Sequence, residues 1–178
     1  EEPLQGSADE LEAAIAKDSD DLRARVQLIR HYLPRLFEPE AQARRNAHIH
    51  WLILHHPEVG LDGYACISAN LCPDAYEQGK QHWLSVVEQQ PDHPVILRHA
   101  SEFLFMQDRA LAEDLIRRGA SLEPASAYWR ECLGVLRRGK YVWVPLAGDP
   151  AGDPAGDPAL DGAGDALVAH LGMSGQFR

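Results

Sequence analysis

Three similar stretches of the chain end in proline at nearly equal intervals: Trp51-Leu-Ile-Leu-His-His-Pro57, Val86-Val-Glu-Gln-Gln-Pro91 and Gly119-Ala-Ser-Leu-Glu-Pro124. Two aligned positions lie eight and twelve residues before each proline. The position eight residues before the proline holds a large apolar residue, in chain order Ile49, Trp83 and Ile116. The position twelve residues before it is more variable and holds Arg45, Gly79 and Ala112. A period of 33 to 34 residues is typical of an array of helical hairpins.

The apolar residues between these prolines follow a helical period. Leu22, Val26, Ile29 and Leu33 form one stripe at spacings of three and four residues, which predicts an amphipathic helix. Residues that commonly start or end helices bound this pattern. Pro39, Pro73 and Pro94 suit a first helical turn. Asp108 suits an N-cap, and Gly119 and Gly139 suit the residue after a helix C-terminus. The sequence therefore predicts an all-α fold, with helices near 8–17, 22–33, 39–56, 62–71, 73–90, 94–106, 108–119 and 124–138.

Length and composition limit the classes of partner. The 178 residues include 27 acidic and 17 basic side chains, a formal net charge of −10, which would repel a nucleic acid. Hydrophobic residues make up 45% of the chain, enough to bury a core. Because no apolar run approaches the roughly 18 to 20 residues of a membrane helix, we expect neither nucleic-acid binding nor membrane insertion.

The composition changes sharply after the last helical pattern. The unit Ala-Gly-Asp-Pro occurs three times in succession from residue 147 to residue 158. Proline at every fourth position excludes a helix there. We therefore predict three regions: a helical repeat domain at 1–146, a low-complexity linker at 147–158, and a short C-terminal helix or tail at 159–178, which would cap the end of the array or remain a small interaction peptide.

The repeat resembles the tetratricopeptide repeat (TPR) family, whose helix pairs carry W-x2-L-G-x2-Y, A-x3-F and P across 34 residues. The strings Gly79-x3-Trp83-x7-Pro91 and Ala112-x3-Ile116-x7-Pro124 match the second-helix half, over a region of roughly 8 to 139. Arg45 stands where a small residue is expected, and no unit holds the whole first-helix motif. The resemblance implies an α-α superhelix of about four helical hairpins. The alternative is a non-repetitive helical bundle.

The resemblance also implies a function. In such arrays the first helices line a concave groove that receives an extended peptide or a partner helix, which predicts a non-catalytic protein-interaction module. The candidate groove residues are Arg23, Gln27, Arg30, Tyr64, Asn70, Arg98, Glu102 and Arg130. Arginine suits this role because its planar fork can hold a carboxylate through two bonds. The alternative is that these residues form solvated helix faces with internal ion pairs.

The second hypothesis for function is a helical enzyme or a metal- or cofactor-binding domain that uses the segment His48-Ile-His50-Trp-Leu-Ile-Leu-His55-His56. The sequence has no phosphate-binding loop, dinucleotide-binding motif, zinc-protease motif or nucleophile elbow. His48 and His55 would lie roughly 10 Å apart along a helix, too far to share a metal ion. We therefore expect no catalytic residue, metal or cofactor.

The sequence constrains the cellular compartment and the oligomeric state less than it constrains the fold. Cys66, Cys72 and Cys132 cannot all pair within one chain, which indicates a reducing, cytoplasmic environment. The alternative is a periplasmic or secreted protein that has lost its signal peptide, since the chain begins Glu1-Glu2-Pro3. A homo-oligomer formed through the open ends of the array is a third hypothesis for its role.

Overall fold

The structure, a computed structural model, describes residues 6–60 and 66–137. Within these residues it contains seven α-helices, one short 3-10 helix and no strand, which confirms the all-α prediction for this part of the chain. The α-helices are α1 (Ala8–Lys17), α2 (Leu22–Tyr32), α3 (Pro39–His55), α4 (Pro73–Gln89), α5 (Pro94–Leu104), α6 (Arg109–Leu122) and α7 (Ala127–Arg137). The 3-10 helix, Leu33–Arg35, follows α2 directly. The predicted linker and C-terminal region at 147–178 lie outside the described residues.

The helix starts follow from local chemistry. Pro39, Pro73 and Pro94 each stand in the first turn of a helix, as predicted, because proline needs no helical N–H there. Ser7 caps α1 in a capping box with Glu10, and the helix starts at Ala8, as predicted.

The predicted helix at 62–71 is wrong over the residues that the structure describes. Residues 66–72 are irregular, and a turn is closed by the Leu71 and Cys72 amides, which donate to the Ser68 carbonyl at 3.2 and 2.8 Å. In a helix the Cys66 carbonyl would accept from the amide four residues later. It instead accepts two bonds from the buried Arg45 guanidinium, which satisfies it outside a helix.

The predicted end of α6 at Gly119 is also wrong. The helix continues to Leu122, and Gly119 is buried inside it, where a Cβ atom would clash with the Trp129 ring. Glycine is present here for close packing against α7, rather than to end the helix. α7 starts at Ala127, later than predicted, because Pro124 lies in the turn between the two helices.

Four helices end with the same local structure. The residues after α1, α3, α4 and α6 each donate a backbone bond to the carbonyl four residues earlier; they are Asp18, His56, Gln90 and Glu123. The carbonyl of each of these four residues accepts in turn from the amide three residues later, at 3.0 to 3.3 Å, which closes a turn. The helix ends after α3, α4 and α6 therefore recur at the 34- and 33-residue spacing of the prolines.

The aligned positions identified in the sequence form the core. Ile49, Trp83 and Ile116 are 0%, 6% and 1% exposed. The positions four residues earlier are also buried, including Arg45 at 2%. Each of the described α-helices packs against the α-helix that follows it, and α3 packs on α4 although the irregular segment lies between them in the chain.

Most of the large aromatic residues in the described part of the chain contribute to this core. Trp83, Trp129 and Phe103 are buried, whereas Trp51 is half-buried and Tyr64 lies outside the described residues. None of the helices in the described part of the chain has both the length and the apolar character needed to cross a bilayer.

Candidate functional site

Two of the predicted groove residues meet at the contact between α5 and α7. Arg98 Nε donates to Glu102 Oε1 at 2.9 Å, one turn along α5. Tyr128 on α7 donates its hydroxyl to the same oxygen at 3.0 Å, and the Arg98 guanidinium lies 4.5 Å from the centre of the Tyr128 ring. The three side chains form one cluster that links α7 to α5.

Burial sets the protonation states around this cluster. Desolvation raises the pKa of Tyr128, and the neighbouring Glu102 carboxylate raises it further, so the hydroxyl remains a hydrogen-bond donor. Desolvation also raises the pKa of Cys132 to about 11 and raises the pKa of Cys66. These two thiols are therefore protonated at neutral pH and lack the thiolate that nucleophilic chemistry requires.

The candidate residues of α2 share one helix face. Arg23, Gln27 and Arg30 are separated by four and three residues, and the buried side of the helix lies opposite them. Arg23 is exposed, and Gln27 and Arg30 are half-buried. The structure therefore presents the predicted α2 residues together, on a helix that contains no aspartate or glutamate.

The distribution of charge separates α2, α5 and α7 from the other described α-helices. The sequences of α2, α5 and α7 contain six arginines and two glutamates, a formal charge of +4. The sequences of α1, α3, α4 and α6 contain nine acidic and seven basic residues, a formal charge of −2. The arginines are therefore concentrated on three helices of a chain whose net charge is −10.

The irregular segment occupies the place where the repeat predicts a helix between α3 and α4. Asn70 is exposed in its turn, and Tyr64 lies outside the described residues. Arg45 Nη1 and Nη2 each donate to the Cys66 carbonyl at 3.0 Å. Burial lowers the pKa of Arg45 to about 10, so the side chain is still a cation at neutral pH and keeps all its donors.

Arg130 does not join the α5–α7 cluster. It is exposed on α7 two residues after Tyr128, which places it about 200° further around the helix. Tyr128 belongs to the α5–α7 cluster but is not among the residues predicted from the sequence. Tyr128 directly precedes Trp129, a core residue, and this position in the sequence was the signal that could have identified it.

The histidine-rich segment of α3 is divided among separate contacts. His48 lies within 3.4 Å of Glu12 Oε1, His50 Nε2 donates to the Ala75 carbonyl at 2.8 Å, and the ring of His55 stacks on Trp51. Because a carbonyl can only accept, His50 Nε2 carries the proton. Across the described residues, no three histidine, cysteine, aspartate or glutamate side chains are grouped as metal ligands.

Two clefts on the described surface are lined by residues other than the candidate groove residues. One, of about 480 Å³, lies between α3 and the start of α4, with Asn46, His50 and Asp74 in its wall. The other, of about 430 Å³, lies between α4 and α6, with Leu84, Leu111 and Arg118 in its wall.

No protein-family model, curated protein or solved structure matches this chain.

Proposed function

We propose that this chain is a non-catalytic interaction module, built as a TPR-like helical array, that binds a peptide or partner helix on the exposed face of α2, α5 and α7. The observation that carries the proposal is the recurrence of the same helix end and turn after α3, α4 and α6. A repeated end supports a similar relation between successive helices, and in such an array one face of α2, α5 and α7 would be accessible to a partner.

The charge distribution supports the choice of face. Arginines are concentrated on α2, α5 and α7, and arginine is the side chain best suited to hold a carboxylate or a backbone carbonyl through its planar fork. The Arg98, Glu102 and Tyr128 cluster supplies rigid polar and aromatic surface beside them. A partner segment that carries carboxylates would complement this face.

The test is affinity capture followed by quantitative mass spectrometry, with wild type and an Arg23→Glu/Gln27→Glu variant as baits. Both substituted side chains lie on the proposed binding face, so we expect the variant to lose the partner that wild type recovers. A matched control, Arg117→Glu/Gln81→Glu, changes the net charge by the same amount on exposed positions of α6 and α4. Circular dichroism checks that all three proteins are folded.

Recovery of the same partner by all three baits would contradict the proposed face, since binding would then not involve α2. Loss in both variants would show that the net charge of the chain matters, rather than this surface.

A further inference from the structure

A buried polar network joins the first three helices. His48 on α3 lies between two charged side chains: its Nε2 is 3.4 Å from Glu12 Oε1 on α1, and its Nδ1 is 3.3 Å from Arg25 Nη1 on α2. Tyr32 on α2 donates its hydroxyl to the same Glu12 oxygen at 3.0 Å. His48 and Arg25 are only 6% and 9% exposed, so solvent does not replace these contacts.

The network fixes the position of the proton on His48. A guanidinium group can only donate, so His48 Nδ1 must accept from Arg25. The single proton of the neutral imidazole therefore sits on Nε2, where it is donated to Glu12. Each ring nitrogen binds a different helix. The Nδ1 contact with Arg25 needs the neutral ring, whereas Nε2 can donate to Glu12 in either protonation state.

We propose that His48 is an acid-sensitive latch: its neutral imidazole holds the α1–α2 hairpin on α3, and protonation of Nδ1 releases Arg25 and opens the hairpin. The groups that face His48 are Glu12 from α1, Arg25 and Tyr32 from α2, and Arg44 from its own helix. A proton on Nδ1 would point at the Arg25 guanidinium, donor against donor, and would add a cation beside two arginines. Among the described residues that face His48, the Glu12 carboxylate opposes this repulsion.

The direction of the pH response follows from burial. Desolvation is the largest effect on the pKa of His48 and lowers it below the ordinary value of about 6.5, with the Glu12 carboxylate acting in the opposite sense. The opened hairpin, in which His48 is solvated, therefore binds a proton more readily than the closed one. Closure is stable at neutral pH and is weakened as the pH falls below about 6.5.

Release of Arg25 would affect the whole hairpin. Arg25 also donates to the Ser19 carbonyl in the α1–α2 turn, at 3.1 Å from Nε and 2.7 Å from Nη2, and its guanidinium lies 3.9 Å from the centre of the Trp51 ring. Most buried apolar side chains of the hairpin belong to a small hydrophobic cluster, Leu11, Ala24, Leu28 and Tyr32, which also includes Ala41 of α3, whereas Ile29 of α2 belongs to the main core. Because the hairpin shares so little of the main core, it can open while the remaining helices stay folded.

The experiment is hydrogen exchange with mass spectrometry on the full chain between pH 7.5 and pH 5, corrected for the intrinsic pH dependence of exchange. In wild type we expect the opening constant of α1 and α2 to rise below about pH 6.5, by at most about tenfold per pH unit for one proton. Peptides from α6 should show no such rise. His48→Gln should give a flat profile, since glutamine can accept from Arg25 and donate to Glu12 without titrating.

A matched control is His31→Gln, which removes a neighbouring histidine of α2 and should keep the wild-type profile. The same pH profile in wild type and His48→Gln, or a parallel rise in α6, would overturn the latch. If His48→Gln does not fold, a proton NMR titration of His48 in wild type decides instead: a pKa below about 6.5 supports the latch, and a pKa at or above this value overturns it.

Discussion

At the scale of single residues, close approach between helices depends on two glycines. Gly79 on α4 lies against Phe103, where a Cβ atom would be 2.7 Å from the ring carbon Cζ, and Gly119 on α6 lies against the Trp129 ring. The indole is held in this position by its Nε1, which donates to Glu123 Oε2 at 3.0 Å. Neither aromatic ring can move away without losing its own packing.

Substitution of Gly119 by alanine is therefore expected to destabilise the protein, although alanine has the higher helix propensity. We expect a loss of about 1–3 kcal/mol in the free energy of unfolding, because the added methyl group overlaps the Trp129 ring. Chemical denaturation followed by circular dichroism measures this. Ser121→Ala, at an exposed site on the same helix, is the control and should change stability by less than about 0.5 kcal/mol. A stabilised Gly119→Ala protein would contradict the packing described for this pair.

At the scale of elements, side-chain hydrogen bonds hold the segments in which helical backbone bonding ends. The irregular residues 66–72 are tied to α3 by the two bonds from Arg45 to the Cys66 carbonyl and by Asn46 Nδ2, which lies 3.3 Å from Cys72 Sγ. The start of α6 is tied to α4 by Asp108, which accepts from the Tyr76 hydroxyl at 2.7 Å and from Lys80 Nζ at 3.1 Å.

Removal of the Arg45 side chain should release the irregular segment. Arg45→Ala leaves the Cys66 carbonyl without these two donors and creates a cavity, so we expect a loss of about 1–3 kcal/mol in stability and faster amide exchange in residues 66–72. Arg44→Ala is the matched control, since the adjacent Arg44 is exposed and pairs with Glu40 on the surface. It should cost less than about 1 kcal/mol. Equal effects of the two substitutions would mean that Arg45 does not organise the segment.

The Asp108 contacts predict a pH dependence. The Tyr76 hydroxyl and then Lys80 hold the pKa of Asp108 below its usual value, so the carboxylate stabilises the fold above about pH 4 and this contribution is lost as the pH falls through the lowered pKa. Asp108→Asn should cost about 1 kcal/mol at pH 7. The difference from wild type should stay constant down to about pH 5. Asp114→Asn, an exposed site on α6, is the control; a difference for Asp108→Asn that changes between pH 7 and pH 5 would argue against this origin.

At the scale of the whole molecule, the helices pack mainly against their neighbours in the chain, so stability is distributed locally. The N-terminal cluster around Leu28 is separate from the core that runs from α2 to α7. Damage at one end should therefore weaken that end first.

Leu28→Ala tests this arrangement, because Leu28 is fully buried in the N-terminal cluster. We expect a local loss of about 2–5 kcal/mol, with hydrogen exchange accelerated in α1 and α2 and much less changed in α6 and α7. Leu104→Ala, fully buried in the main core, should instead accelerate exchange in α5 and α6. Uniform acceleration along the chain in both variants would indicate a single cooperative unit rather than local packing.

Part of this fold could be predicted from the sequence because its signals are local. Prolines at 39, 73 and 94 mark helix starts, and the apolar residues at 49, 83 and 116 mark the positions that face the core. The face formed by Arg23, Gln27 and Arg30 also follows from spacing along one helix. A period of 3.6 residues and the missing N–H of proline act within a few residues, so no knowledge of the rest of the chain is needed.

Only the tertiary structure decided the rest, because the interactions that control it join residues far apart in the chain. The segment after α3 has a helical pattern, but Arg45, 21 residues earlier, binds the Cys66 carbonyl outside a helix. The sequence predicts that a helix ends at Gly119, but in the structure the Trp129 ring packs against this glycine inside α6. The pairing of Glu102 with Tyr128, and of His48 with Glu12 and Arg25, likewise depends on which helices meet. Propensity biases each residue by at most about 1 kcal/mol, apart from proline, and a buried bond or a steric overlap outweighs it.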